Sequence, residues 1–285
     1  MKRCSRCNTG LPPEARFCWQ CGAPQPELVA REPIADCVVD LEADLLPQLN
    51  QLFLLALKDR MEREHLPGMF PIYSERLYLS GFRDEVSERL QELAQLIAEM
   101  KEQGEANSDE INMLTEDLLE ELLDKFIVVY CKDLNETIYP EAILRYKHAS
   151  RGQVPLGRLI LDYLELAESG IEFYTDLLRM PIEKLQMAGK TFLFPAPDEK
   201  ILLVADQSVL GTGKEGFAFT DVGLYWKAPM EKPRFVRFAN LRELKRVSAW
   251  MVVNGFFFNV NPAVNANMLR LLNRLRRLYR DTEMP

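Results

Sequence analysis

Histidine is scarce in this chain, with two in 285 residues. Neither lies near a nucleophile signature, which leaves little for chemistry that depends on a positioned imidazole. Long apolar runs are also missing. The charge-free stretch Val247–Leu269 contains Asn254, Gly255, Asn259, Asn261, Pro262, Asn265 and Asn267, whose polar groups and turn preferences do not suit a bilayer core. It reads instead as a hairpin followed by a helix start, so no transmembrane segment is expected. Met1–Gly10 has no apolar core of a secretory signal, and a cytoplasmic location is the expectation. Internal repeats and low-complexity tracts are lacking. What remains, 47% hydrophobic and 27% charged residues, is the composition of a folded globular chain of roughly two domains.

The formal charge of −8 is unevenly distributed. Residues 1–26 carry +3, residues 27–190 carry −16 and residues 191–285 carry +5. The breaks coincide with linker-like segments, Gly22-Ala23-Pro24-Gln25-Pro26 and Gly189 through Pro197. The expected organisation is multi-domain α+β. Residues 1–26 form a zinc ribbon and 27–37 a linker. Residues 38–189 form an acidic α-helical bundle, and 190–285 a β-barrel capped by a helix.

Four of the six cysteines make one pattern, Cys4-x2-Cys7 and Cys18-x2-Cys21. A two-residue spacer turns both thiolates of a pair towards one ion, and zinc needs four such donors at tetrahedral angles. Gly10 and Gly22 follow the pairs and supply turn conformations. Lys2, Arg3, Arg6 and Arg16 offset the negative charge of a four-thiolate site. The run from Cys4 to Gly22, with Leu11-Pro12-Pro13-Glu14-Ala15-Arg16-Phe17-Cys18 between the pairs, resembles the short zinc ribbon found at the front of many bacterial proteins; Asn8 stands where that family usually has Gly. One structural zinc held by Cys4, Cys7, Cys18 and Cys21 is the expectation. A redox role lacks a surrounding βαβ pattern, and disulfides need an oxidising compartment. Cys37 and Cys131 have apolar neighbours and read as buried thiols.

Helical periodicity dominates the middle of the chain. A helix over about 45–64 ends before Pro67-Gly68. Phe82, Val86, Leu90, Leu93, Ile97 and Met100 form one stripe, and Ile111, Leu114, Leu118, Leu122, Phe126 and Val129 a second. Gly104 ends the first of these helices and Ser108 caps the next, predicting an αα-hairpin. A short helix starts at Pro140. A longer one carries Leu156, Leu159, Tyr163, Leu166, Ile171, Tyr174 and Leu178, and Pro181 opens a last short helix ended by Gly189. Glu62-x-x-His65 is half of a di-iron signature, but Arg145 stands three residues before His148, so the other half is missing and His65 reads as part of a solvated helix end. Carboxylates such as Glu116, Asp117, Glu120 and Glu121 read as solvent faces, or as a surface for a basic partner.

From about Thr191 the period becomes that of strands: 201–205, 217–220, 223–227, 235–238, 244–247, 250–253 and 256–260. Asn254-Gly255 is a type I′ hairpin signal, and a helix of about 15 residues closes the chain. The segment Glu199–Lys227, with its strand, glycine loop and Phe-x-x-Thr-Asp-x-Gly-Leu-Tyr rhythm, resembles the pleckstrin-homology-like superfold and its GRAM-like variants. That resemblance implies a bent barrel plugged by the terminal helix, in a fold that binds phosphoinositides, peptides or proteins. Gly211-Thr212-Gly213-Lys214-Glu215-Gly216 is not a Walker loop, because Ser208 and Glu215 occupy positions that need Gly and Ser/Thr. Lys214, Lys227, Lys232, Arg234, Arg237, Lys245 and Arg246 are a candidate anionic-ligand patch.

No catalytic constellation is assembled by the sequence. The functional expectation is a non-enzymatic zinc-binding adaptor or scaffold with protein partners. The alternatives are a nucleic-acid-binding regulator using the ribbon and recruitment to an anionic membrane surface through the carboxy-terminal module.

Overall fold

A computed structural model describes residues 2–3, 10–11, 38–65, 68–136, 139–146, 152–247 and 249–280. At the amino terminus, β1 (Lys2–Arg3) pairs antiparallel with β2 (Gly10–Leu11), Lys2 opposite Leu11 and Arg3 opposite Gly10. Beyond this hairpin the chain divides into two compact units, with the boundary at residues 148/149.

The first unit is helical. α1 (Leu45–Glu64) buries Leu49, Phe53, Leu57 and Met61 along one stripe. α2 (Phe70–Leu79) follows, with Pro71 in its first turn and Tyr73 and Leu77 inside. α3 (Phe82–Gln103) buries Phe82, Val86, Leu90, Leu93 and Ile97, the stripe expected from its period. Gly104 ends it in the left-handed region (φ 74°), where the Glu105 amide reaches back to the Met100 carbonyl. α4 (Ser108–Lys125) is capped by Asn107, not Ser108: the Asn107 side chain accepts from the Asp109 amide at 2.9 Å. It buries Ile111 and Leu122 of the expected stripe together with Thr115, Leu119 and Leu123, and a π turn over Phe126–Tyr130 follows. The wider turn places Phe126, Ile127 and Val128 inside and leaves Val129 exposed. Phe126 stacks on Phe82 at 5.6 Å, and Cys131 is buried behind it. The helix expected at Pro140 is a 3-10 segment, Glu141–Tyr146.

The second unit begins earlier than the sequence suggested. The single helix expected through Leu178 stops after α5 (Leu156–Leu164), because Glu165 adopts a left-handed conformation (φ 45°) and Gly170 another (φ 72°). The chain then forms β3 (Glu172–Tyr174) and α6 (Ile182–Thr191), which runs through Gly189. β4 (Ile201–Asp206), β5 (Gly216–Thr220), β6 (Gly223–Lys227) and β7 (Arg234–Arg237) follow as an antiparallel meander, and β3 pairs with β4 to make the order β3-β4-β5-β6-β7. Residues 152–191 therefore belong with this unit and not with the helical one.

Both faces of the five-stranded sheet are covered, so β5 is buried at every position and shows no alternation. On one face Tyr174, Val204, Ala218, Tyr225 and Phe235 lie opposite one another across the strands, packed under Met180, Ala188, Phe192 and Leu193 from α6 and its flanks. The other face carries Leu203, Phe217, Phe219, Leu224, Trp226 and Val236. Against it lies a second antiparallel sheet of β8 (Leu244–Val247), β9 (Trp250–Val253) and β10 (Phe256–Phe258), with α7 (Pro262–Arg280). Phe258 of that sheet meets Phe217 and Trp226 at about 6 Å between ring centres, and Tyr279 of α7 meets Phe238 at 5.0 Å.

The expected barrel does not close. β10 is three residues long, and its Phe257 carbonyl accepts from the Trp226 indole at 2.9 Å instead of from a neighbouring strand. The fold is two stacked antiparallel sheets with helices. The hairpin expectation at Asn254-Gly255 holds: both residues have positive φ, 49° and 79°, as a type I′ turn requires. α7 buries Met268, Leu271, Leu272 and Leu275, and Arg270 and Arg274 are buried as well. Among the described residues no helix is long and apolar enough to cross a membrane.

Candidate functional site

The zinc donor set, Cys4, Cys7, Cys18 and Cys21, lies outside the described residues, as do Cys37 and His148. What is described is the pairing of β1 with β2, so the first CxxC pair falls in the connection between two antiparallel strands. Four thiolates are a fitting donor set for structural zinc. Elsewhere, no cluster of three His, Cys, Asp or Glu residues among the described residues is arranged to hold a metal.

His65 is not at a solvated helix end. It is buried, its Nδ1 3.1 Å from the Tyr73 hydroxyl, which in turn donates to Asn135 Oδ1 at 2.8 Å. Glu62 stays outside, 3.9 Å from Lys58. Several of the acidic residues assigned to solvent also have structural work. Arg60 on α1 is buried, and its guanidinium meets Glu64 at 2.8 Å and reaches Glu120 and Asp124 on α4. Burial alone pulls the Arg60 pKa down; Glu64, Glu120 and Asp124 outweigh it and hold the group well above its ordinary value. Lys125 on α4 likewise holds Glu85 on α3 at 2.6 Å. The helices are thus joined through charge as well as through their apolar stripes.

In the second unit the glycine loop is organised around Asp206, not around a ligand. The Asp206 carboxylate accepts from the Ser208 amide at 2.9 Å and the Gly213 amide at 3.2 Å. The Ser208 hydroxyl accepts from the Thr212 amide at 2.7 Å. Lys184 of α6 binds Asp206 at 3.3 Å and also pairs with Glu172 of β3; the bond to Glu172 leads the effects that raise the Lys184 pKa. The glycines permit this close packing. A Cβ on Gly213 would stand 2.6 Å from the Lys184 carbonyl oxygen, and one on Gly216 would stand 2.0 Å from that of Ala205. The Ser208, Gly211, Thr212 and Gly213 amides are thus committed inside the loop and are not free to cradle a phosphate.

The seven candidate cations do not converge. Lys227 is half-buried and lies 3.7 Å from Glu215. Arg234 stacks over the Phe256 ring at 4.0 Å. Arg237, an odd number of residues along the same strand, faces the opposite side of the sheet, where it lowers the pKa of Glu199 against the larger upward effect of burial. Lys245 and Arg246 sit on opposite faces of the second sheet. Lys214, Lys227, Lys232 and Arg234 share one end of the meander, at or beside the loops 207–215 and 228–233.

Two features escaped the sequence. Asn254 is buried, and its side chain accepts from the Arg242 and Glu243 amides at 2.8 and 3.1 Å while donating to the Asn240 carbonyl at 2.7 Å. It fixes the connection between the sheets. Asn254→Ala should lower stability by about 2–3 kcal/mol in urea unfolding, since it strands buried amides. Asn254→Gly, which suits the φ but restores none of these bonds, should be nearly as damaging, and a wild-type midpoint for Asn254→Gly would show that only the turn conformation matters. The second feature is the set of apolar loop tips. Val209 and Leu210 within the glycine loop, and Met230 in loop 228–233, are almost wholly exposed; an apolar pair inside a glycine-rich loop was the one signal available. Compared with protein-family models, curated proteins and solved structures, the chain matches none.

Proposed function

We propose that the chain is a non-enzymatic zinc-binding adaptor, in which a small zinc ribbon over residues 1–26 presents a rigid surface to a protein partner and is linked to two larger folded units. The observation that carries this reading is the Cys4-x2-Cys7/Cys18-x2-Cys21 spacing together with the strand pairing that brackets its first pair. A ribbon whose four thiolates all bind the metal has no open coordination position for catalysis and acts through its surface. Residues 32–148, with 11 basic and 26 acidic side chains, and residues 149–285, with 19 basic and 15 acidic, give the two larger units net charges of opposite sign for further partners.

The test is affinity purification of the tagged full-length chain beside its Cys18→Ser/Cys21→Ser variant. A defined protein partner should be recovered with the wild type, rebind in purified form, and be lost with the variant. Recovery of the same partner by both would remove the ribbon from the interaction. Salt-sensitive retention of DNA or RNA by the wild type alone would favour the nucleic-acid reading, and a turnover abolished by a single substitution would replace the adaptor reading with an enzymatic one.

A further inference from the structure

We propose that Glu199, Tyr225 and the Phe194 carbonyl form a proton-operated latch on the turn that joins α6 to β4, closed while Glu199 carries a proton and released when it ionises. Glu199 ends that turn, and its amide donates to the Ala196 carbonyl at 3.0 Å. The Tyr225 hydroxyl of β6 lies 3.0 Å from Glu199 Oε2 and 3.3 Å from the Phe194 carbonyl oxygen. A phenol has one hydrogen to donate, and it faces two acceptors when Glu199 is a carboxylate. When Glu199 is protonated, its own hydroxyl donates to Tyr225 and Tyr225 donates to Phe194, so one chain of bonds spans the turn. On ionisation the Tyr225 hydrogen turns to the carboxylate, because the charge-assisted bond is the stronger, and the Phe194 carbonyl loses that donor.

The surroundings favour the neutral state. Glu199 Oε1 is buried without a hydrogen-bond partner among the described residues, and an unpaired charged oxygen costs far more in that position than a neutral one. Burial is the leading effect on the carboxyl and pushes its pKa up from the ordinary 4.5; the Tyr225 hydroxyl, the Ala196 amide, Arg237 and the Thr220 hydroxyl oppose it. Arg237 of β7 is the charged side chain among these. Asp198 and Lys200 are the neighbours of Glu199 in the chain, Asp221 takes the Lys200 amide at 2.9 Å, and the α6 flank Phe192–Phe194 brings no charge.

The latch sits where its release has an effect. Phe192 and Leu193, just before the turn, belong to the apolar layer that packs on Val204, Ala218 and Tyr225, and Tyr225 itself stacks on Phe235 at 4.1 Å. Glu199 thus links the covering helix to the sheet, and its proton decides how firmly the carboxy-terminal flank of α6 is held. The sign of the linkage is fixed. A carboxyl whose pKa is raised by folding adds stability that is complete below its unfolded value and is lost as pH rises through its folded value.

This inference goes beyond the adaptor reading and does not depend on the zinc module. The experiment follows the carboxyl carbon signal of Glu199 and the carbonyl carbon signal of Phe194 by NMR, in the full-length protein, between about pH 4 and 8. Both should step together at one midpoint above the ordinary glutamate value. Glu199→Gln, whose amide donates to Tyr225 as the protonated acid does, should leave the Phe194 signal flat. The Tm of its second unit, read from Trp226 and Trp250 fluorescence, should gain on the wild type by about 2 °C or more as pH rises through that midpoint. Tyr225→Phe keeps the ring stack and should move the Glu199 midpoint further up, while the Phe194 signal no longer follows it. An ordinary Glu199 midpoint, a wild-type Phe194 signal that does not move with it, or a Phe194 step that survives in either variant would each overturn the proposal, whatever the outcome with protein partners.

Discussion

Arg60→Met should cost the first unit about 3–5 kcal/mol, the range seen when one partner of a buried ion pair is removed. The Arg60 side chain is 4% exposed, and it faces Glu64 at 3%, Asp124 at 18% and Glu120 at 25%. Methionine fills a comparable volume, so the loss measures charge and not a cavity. Without the guanidinium, three carboxylates from α1 and α4 lose the cation they share in a poorly solvated space. Urea unfolding followed by helical circular dichroism provides the measurement. Arg60→Lys should fall between the two, since one ammonium cannot divide itself among three carboxylates as a planar guanidinium does. A loss below about 1 kcal/mol for Arg60→Met, typical of exposed pairs, would mean that the network is solvated and that α1 and α4 are held by their apolar stripes alone.

That network also marks where the sequence stopped being informative. The ends of α1, the stripe on α3, the Gly104 terminus and the Asn254-Gly255 turn follow from local chemistry: a helical period, a glycine in the left-handed region and a dipeptide that tolerates two positive φ values. Each is encoded within a few residues. Glu120 and Asp124 are indistinguishable from solvent-facing carboxylates until Arg60, some sixty positions earlier, is known to stand beside them. α2 was not anticipated from the sequence; Pro71 occupies a first-turn position that needs no amide donor. The strand β3 was hidden more deeply. Its three residues continue an apolar spacing that fits a helix, and what makes them a strand is pairing with β4 some thirty residues later.

The open double sheet has the same origin. Strand positions in 201–258 are visible from their composition, but closure depends on whether the edge of β10 finds a strand, and there the Trp226 indole takes the Phe257 carbonyl. The candidate cations illustrate the limit for function. Seven basic residues close in sequence suggest one patch, whereas strand parity sends Arg234 and Arg237 to opposite faces. Nothing local in the sequence separates Val209, Leu210 and Met230 from core residues; their exposure follows from the loops that carry them.

The largest effect is expected at the amino terminus. Metal analysis of the purified chain should give about one zinc per chain, and its removal should unfold residues 1–26 while leaving the signals of the two larger units in place. About two dozen residues cannot bury enough apolar surface to fold alone, whereas a structural zinc contributes roughly 10–16 kcal/mol at neutral pH. Metal loss and local unfolding should therefore coincide. Because the ligands bind as thiolates, zinc binding displaces their protons, and affinity should fall steeply as pH drops below the range in which thiols ionise. Cys18→Ser/Cys21→Ser should lose the metal and become sensitive to proteolysis within the ribbon, while Cys37→Ser, outside the spacing pattern, should retain both the metal and protection. Zinc at wild-type stoichiometry in the double variant would exclude the four-thiolate assignment, because two thiolates from Cys4 and Cys7 leave half of a tetrahedral site to water, and a site so composed would not survive competition by a chelator.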